Sequence, residues 1–171
     1  MKIKHKYIGL VCQNETLFQN FFNMIYNNLN KQNDNIVYHL VTFNISCKTK
    51  YDYIIFIESY VGFNLNNLRY TIYNSDAILL LNSDIGESNA FSNCLRVLTY
   101  GCDSNSNYLI NNVSINSTLI IFDLYHNNQI DSIYFVSKKE EDIYYVLPII
   151  ILFLIEKYTL DDITRSLQKI K

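Results

Sequence analysis

The chain has 171 residues, 49 % hydrophobic and 18 % charged, which allows one domain with a sizeable core and excludes a disordered chain. Its net charge of −2 argues against nucleic acid or an anionic membrane as the partner, because both select strongly basic surfaces. Lysines cluster at Lys2, Lys4 and Lys6, too small a group for a basic patch.

In chain order, Lys6–Val11 is a short apolar strand. Leu17, Phe18, Phe21, Phe22, Ile25 and Leu29 then recur at helical spacing and define one apolar face. Asn33-Asp34-Asn35 is a turn, Ile36–Phe43 a second strand and Tyr53–Ile57 a third. The third is continuously apolar, as a central strand covered on both faces should be. Leu65–Tyr73 reads as a helix, Ala77–Leu81 as a fourth strand and Arg96–Tyr100 as a fifth. This order predicts an α/β fold, a mainly parallel sheet in P-loop-like order with right-handed crossovers.

The texture changes after Tyr100. Tyr108–Ile115, Thr118–Tyr125 and Ile130–Val136 read as strands, with Asn127-Asn128 as a hairpin turn, and predict an antiparallel extension. Two C-terminal helices follow. Pro148 lies inside the pattern of the first, which predicts that this helix starts near the proline or is kinked there. Thr159 caps the second, with Asp162 in a capping-box position and Leu160, Ile163, Leu167 and Ile170 as its stripe. No linker or repeat interrupts the chain, so residues 1–171 read as a single domain. The apolar stretch Ile143–Ile155 is too short to cross a bilayer, and no cleavage region follows Met1–Lys6. The expectation is a cytoplasmic protein without a membrane span.

Cys12, Cys47, Cys94 and Cys102 form no C-x-x-C pair and are expected to be buried thiols. His5, His39 and His126 have no metal-ligand spacing and are expected to be structural or exposed.

Cys12-Gln13-Asn14-Glu15-Thr16 stands where a phosphate-binding loop would, between a strand and a helix. Such a loop needs glycines that turn backbone N–H groups inward, and a lysine before its Ser/Thr. Here no glycine lies between Gly9 and the helix, and Glu15 precedes Thr16. A carboxylate about 4 Å from a phosphate repels it by roughly the ~4 kcal/mol that a lysine would gain at an effective dielectric near ~20. Asn14 and Glu15 also serve ordinary needs, as a helix cap and as a charge suited to a helix N-terminus. Thr16 fits local capping, or contact with magnesium or phosphate.

Several stretches, in order, resemble the central ATP-binding domain of the Mur ligase family, ATP-dependent amide-forming enzymes of peptidoglycan precursor synthesis. Ile8-Gly9-Leu10-Val11 with Asn14-Glu15-Thr16 falls where the family has a strand and a T-N-G-K-T loop; Asn14 and Thr16 fit, and Glu15 replaces the lysine. Tyr53–Ile57 with Glu58 is similar to the family's apolar strand ending in a metal-binding glutamate. Ser83-Asp84-Ile85-Gly86-Glu87-Ser88-Asn89 is similar to T-N-I-G-E-A-H, with Asn89 in place of a magnesium-linked histidine. Val97-Leu98-Thr99-Tyr100-Gly101 matches V-L-T-Y-G, and Asp142-Ile143-Tyr144-Tyr145-Val146-Leu147 is similar to N-V-Y-N-A-L, with Asp142 and Tyr145 replacing two asparagines. The segment between Asn89 and Val97 is much shorter than the family's, which carries a metal-bridging lysine. The family's N-terminal substrate domain and C-terminal amino-acid-binding domain have no counterpart.

The resemblance implies a nucleotide site at Asn14, Glu15 and Thr16 and a metal ligand at Glu58, with most of the supporting chemistry lost. A lone carboxylate such as Glu58 at a strand's end is more often a solvated strand end or a helix cap. Asp84, Glu87 and Asp103 would join it in an acidic cluster if the loops at the strand ends converge. The expectation is a non-catalytic, Mur-ligase-like protein with a degenerate nucleotide site, acting through a protein partner in cell-envelope metabolism. On this reading it uses no cofactor. The alternative is an ATP-dependent ligase or ATPase subunit completed by another chain, which would use ATP and magnesium.

Overall fold

The structure is a computed structural model that describes residues 3–29, 36–43, 50–91 and 93–168. The predicted turn at 33–35, Cys47 and Ile170 lie outside the described residues. The chain divides into two compact units that interleave in sequence: Met1–Glu15 with Asn35–Thr99, and Thr16–Asp34 with Tyr100–Lys171.

In the first unit, β1 (Lys4–Val11), β2 (Ile36–Thr42), β3 (Tyr53–Phe56), β4 (Ile78–Asn82) and the start of β5 (Val97–Gly101) lie in the order β2-β1-β3-β4-β5. β1 is parallel to both its neighbours. It runs from Lys4 opposite Ile36 to Leu10 opposite Thr42 on one side, and from Ile8 opposite Tyr53 to Val11 opposite Phe56 on the other. β3 is parallel to β4. All four residues of β3 are buried, as its unbroken apolar run predicts. Ile57 lies just past the strand, with its N–H on the Val11 carbonyl at 3.0 Å.

The helix α2 (Leu65–Tyr73) spans the predicted residues, because its signals are local. The Asn64 side chain accepts from the Asn67 N–H at 3.2 Å, and Leu68 and Ile72 are buried one turn apart. They join a core that includes Phe43, Tyr51, Phe56 and Phe91. Gly9 allows close packing: a Cβ there would stand 3.0 Å from the Tyr51 ring, so that ring would have to shift. Without one, Tyr51 packs against the middle of β1.

The second unit contains nearly all of α1 (Glu15–Leu29), the end of β5, and β6 (Tyr108–Asn116), β7 (Leu119–His126) and β8 (Gln129–Val136). Tyr100 and Gly101 of β5 pair in parallel with Tyr108 and Leu109, and antiparallel pairing begins with β6 and β7. Asn127 and Asn128 take φ values of 50° and 62°, the left-handed pair that a two-residue hairpin requires. β6 carries an irregularity between Asn111 and Ser114, where Asn112 has φ 50°. Asp123 of β7 ties this point to β8, accepting from Ser132 Oγ at 2.6 Å and Asn112 Nδ2 at 2.7 Å. These two hydrogen bonds hold its carboxyl below the usual carboxylate range.

The unit ends in α3 (Ile143–Ile155) and α4 (Leu160–Gln168). The apolar stretch Ile143–Ile155 is one buried helix; of the two alternatives that Pro148 raised, a start near the proline is not observed, since α3 starts at Ile143 and runs through it. Burial of Ile143 and every residue from Tyr145 to Phe153 offsets the helical hydrogen bond that proline cannot donate. Phe153 stacks on Phe22 and Tyr26 of α1, with centroids 5.6 and 6.4 Å away, and meets Tyr158 edge-on at 5.4 Å. α4 has the predicted cap, with the Asp162 N–H donating to Thr159 Oγ1 at 3.2 Å and that hydroxyl donating to Asp162 Oδ2 at 2.6 Å. The fold is the predicted α/β class, a mainly parallel sheet with an antiparallel extension and two C-terminal helices. Among the described residues, no helix is long and apolar enough to cross a membrane.

Candidate functional site

β1 is a switch point, since the chain leaves it towards β2 on one side and pairs it with β3 on the other. Open parallel sheets bind ligands at the carboxyl ends of strands beside such a point. In the first unit, an open cleft of about 720 Å³ lies there, lined by Cys12, Gln13, Glu15, Thr42, Ser59, Tyr60 and Val61. Residues at or just beyond the ends of three different strands thus meet, although 27 to 46 positions separate the pairs that touch.

The cleft's polar groups bond to one another. Glu15, the first residue of α1, accepts from Thr42 Oγ1 at 2.7 Å. The Gln13 N–H donates to Glu58 Oε1 at 3.3 Å, and Gln13 Nε2 donates to the Ser59 carbonyl at 3.2 Å. Ser59 Oγ donates to Glu87 Oε1 at 2.7 Å. Buried Asn82, at the end of β4, donates to the Ile57 carbonyl at 3.0 Å and accepts from the Asp84 N–H at 3.0 Å. These bonds hold the loops after β1, β3 and β4 in place.

The local field is negative. Cys12 is buried at the mouth of the loop, and its thiol is pushed up to about 12. Burial is the main cause, and the Glu15 and Glu58 carboxylates add to it. A thiolate is therefore disfavoured where a phosphate would also be disfavoured. Iodoacetamide at pH 8 should spare Cys12 while modifying exposed Cys102, as mapped by peptide mass spectrometry. Prompt alkylation of Cys12 in the folded protein would show that its thiol is accessible and ionised.

The residues expected to carry function divide between the units. Glu15 lines the cleft, and Glu58 lies beside it, bonded to the Gln13 N–H. Asn14 is exposed beside it, and Thr16 is an exposed residue of α1 assigned to the second unit. Glu87 joins the cleft through Ser59, on a 3-10 turn of Gly86–Phe91. Asp84 follows Asn82 in the same unit. Asp103 belongs to the second unit, where it accepts from the Asn105 N–H at 2.8 Å. Among the described residues, no three His, Cys, Asp or Glu side chains gather closely enough to hold a metal ion. Asp142 and Tyr145, where the family has asparagines, are both buried, and Asp142 accepts from Ser137 Oγ.

One expectation needs correction. The thiols are not uniformly buried: Cys94 is half-buried and Cys102 exposed. His5 is exposed, as expected, and hydrogen-bonds to half-buried His39, a contact that the sequence did not indicate. Thr42, Ser59 and Asn82 were not anticipated as site residues. Their signal was a polar side chain at or just beyond the end of an apolar strand.

No protein-family model matches the chain, and no curated protein matches its sequence. Solved structures do match its fold. MurF from Acinetobacter baumannii superposes with a TM-score of 0.73 at 9 % identity, over 99 % of this chain and 46 % of that one. A pseudomurein peptide ligase type C from Methanothermus fervidus gives 0.72 at 10 %, over 100 % and 50 %. MurF ligase from Thermotoga maritima in complex with ADP gives 0.71 at 11 %, over 99 % and 49 %. The chain has the fold of part of a Mur ligase and spans about half the length of these proteins or less.

Proposed function

We propose that this chain is a non-catalytic relative of the Mur ligases, whose degenerate nucleotide cleft no longer takes ATP. It acts by binding a protein partner, in a process of cell-envelope metabolism. One observation carries the reading. At the loop where the resemblance puts a phosphate-binding lysine, Glu15 presents a carboxylate held by Thr42, within the field that raises the Cys12 thiol. The Gln13 N–H, a backbone donor of that loop, is engaged by Glu58. A phosphate entering here would meet two carboxylates and would compete with the loop's own hydrogen bonds.

The test is thermal unfolding with millimolar MgATP. Tm should stay within about 1 °C of the ligand-free value, since a ligand that binds the folded state raises Tm by mass action. A rise of several degrees would overturn the inactive reading. It would favour a second one, an ATP-dependent ligase or ATPase subunit completed by another chain. That reading draws on the Glu58 carboxylate beyond the end of β3 and on the ADP held by the Thermotoga protein of like fold.

A further inference from the structure

The second unit leaves one edge of its sheet open. β8 is the last strand in the order, with β7 on one side and no strand on the other. The Ser137 N–H donates to the Thr118 carbonyl at 2.9 Å, and the unbroken register from Leu119 opposite Val136 to His126 opposite Gln129 continues that ladder. Bonding direction alternates along an antiparallel ladder, so Gln129, Asp131, Ile133 and Phe135 bond to β7. Ile130, Ser132, Tyr134 and Val136 turn their N–H and C=O groups to the open edge, and among the described residues no backbone partner meets them there. All four are exposed, Ile130 at 59 %, Tyr134 at 41 % and Val136 at 42 %. Monomeric proteins guard such an edge with a proline, a bulge or an inward-pointing charge. β8 has no proline and no register shift, and its one charged residue, Asp131, is turned back to His126 Nε2 at 3.1 Å.

We propose that a second copy of this chain pairs with that edge, β8 against β8 about a two-fold axis. A strand that pairs with its own copy about such an axis runs antiparallel to it. The register that uses the whole edge has the axis at Ile133. It sets Ile130 opposite the other copy's Val136 and Ser132 opposite the other copy's Tyr134, and the reverse by symmetry. In each of these pairs the open backbone groups face one another and exchange two hydrogen bonds, so every N–H and C=O left open on the edge finds a partner. The side chains suit the same register. Ile130 and Val136 make an apolar cross-strand pair at each end, and the two Tyr134 rings are diagonal neighbours across the axis. The two Asp131 carboxylates stand four positions out of register, about 14 Å apart along the strands and beyond the ~10 Å reach of a charge at about 0.1 M salt. β8 presents no unpaired charge with which to select a foreign strand, whereas its own sequence satisfies its own edge, which favours a second copy. An eight-residue edge with three exposed apolar side chains is small for an interface, so the expected dimer is weak, with Kd about 1–100 μM.

Sedimentation equilibrium of the full chain from about 1 to about 200 μM tests this, with amide hydrogen exchange at both ends of that range. Wild type should pass from 20.2 kDa towards twice that mass. At the high end, the Ile130, Ser132, Tyr134 and Val136 amides should exchange at least about twofold more slowly than at the low end. Tyr134→Lys sets two ammonium groups beside the axis and should weaken the dimer at least about tenfold. It should leave the melt at low concentration almost unchanged, because that side chain is exposed. Ile115→Lys removes a similar exposed apolar side chain from β6 and should leave the dimer intact. A chain that stays at 20.2 kDa throughout would overturn the proposal. So would a dimer that Tyr134→Lys leaves as strong while the β8 edge amides exchange as in the monomer. Species that grow beyond the dimer would do the same, since a two-fold pairing closes on itself.

Discussion

Replacing Phe153 by alanine should destabilise the protein by about 3–5 kcal/mol, the range for removing a fully buried phenylalanine. A loss of that size is a large share of the ~5–15 kcal/mol that holds a typical domain folded. Phe153 is fully buried in α3 and touches Phe22, Tyr26 and Tyr158, so three aromatic neighbours lose a partner together. Offset-stacked and edge-on ring pairs contribute about 0.5–1.5 kcal/mol each beyond the area they bury. The cavity would open against α1 on one side and the Tyr158 turn on the other. For a chain of this size, about 2–4 °C of Tm is lost per kcal/mol, so a fall near ~10 °C is expected in a calorimetric or circular-dichroism melt. Phe153→Leu keeps much of the apolar volume and should lose clearly less. If both variants melted with the wild type, α3 would not be packed as described.

Glu15→Lys should turn the cleft from repelling nucleotide to attracting it. The substitution removes one carboxylate and adds one ammonium. Each change is worth up to ~4 kcal/mol at about 4 Å and an effective dielectric near ~20. Against this stand the lost Thr42 hydrogen bond and the carboxylate of Glu58, which remains. The loop also lacks glycines that would let its N–H groups converge on a phosphate. The expected net result is at least a tenfold gain in affinity for MgATP, seen as a Tm shift at millimolar nucleotide where wild type gives none. Glu15→Gln should lie between the two. If the lysine variant behaved as wild type does, the shape of the loop backbone, rather than its charge, would be what excludes nucleotide.

What the sequence disclosed depended on how local each signal was. α2 could be placed because Asn64, Leu68 and Ile72 stand within a few turns of one another. β3 could be recognised because its burial on both faces leaves an unbroken apolar run. The β7–β8 turn followed from two asparagines that tolerate positive φ. The unbroken apolar run marked the extent of α3, but Pro148 gave a misleading signal for its start, because tertiary burial from Ile143 onward overrides the proline's local effect. In the cleft, the sequence identified Glu15 and Glu58 but not their partners. Thr42 reaches Glu15 only through the β1–β2 register, and Gln13 reaches Glu58 only through the β1–β3 pairing. Parallel strands have no tight turn to fix register, so His5 and His39 gave no sign of meeting although they lie 34 residues apart on neighbouring strands.

The position of β1 between β2 and β3 also has a kinetic consequence. Ile8 pairs with Tyr53, so one edge of β1 waits until a chain segment of 45 residues has closed. The β7–β8 ribbon needs only a two-residue turn, and hairpins of that kind form in about 1–10 μs. Non-local parallel pairing brings no reward until its closure entropy has been met. The joining of β3 to β1, the same event that brings Glu58 to Gln13, is therefore expected to be slower than closure of the β7–β8 ribbon. Until β3 joins it, the edge of β1 carrying Ile8, Leu10 and Val11 is an unpaired apolar strand edge of the kind that other chains can pair with.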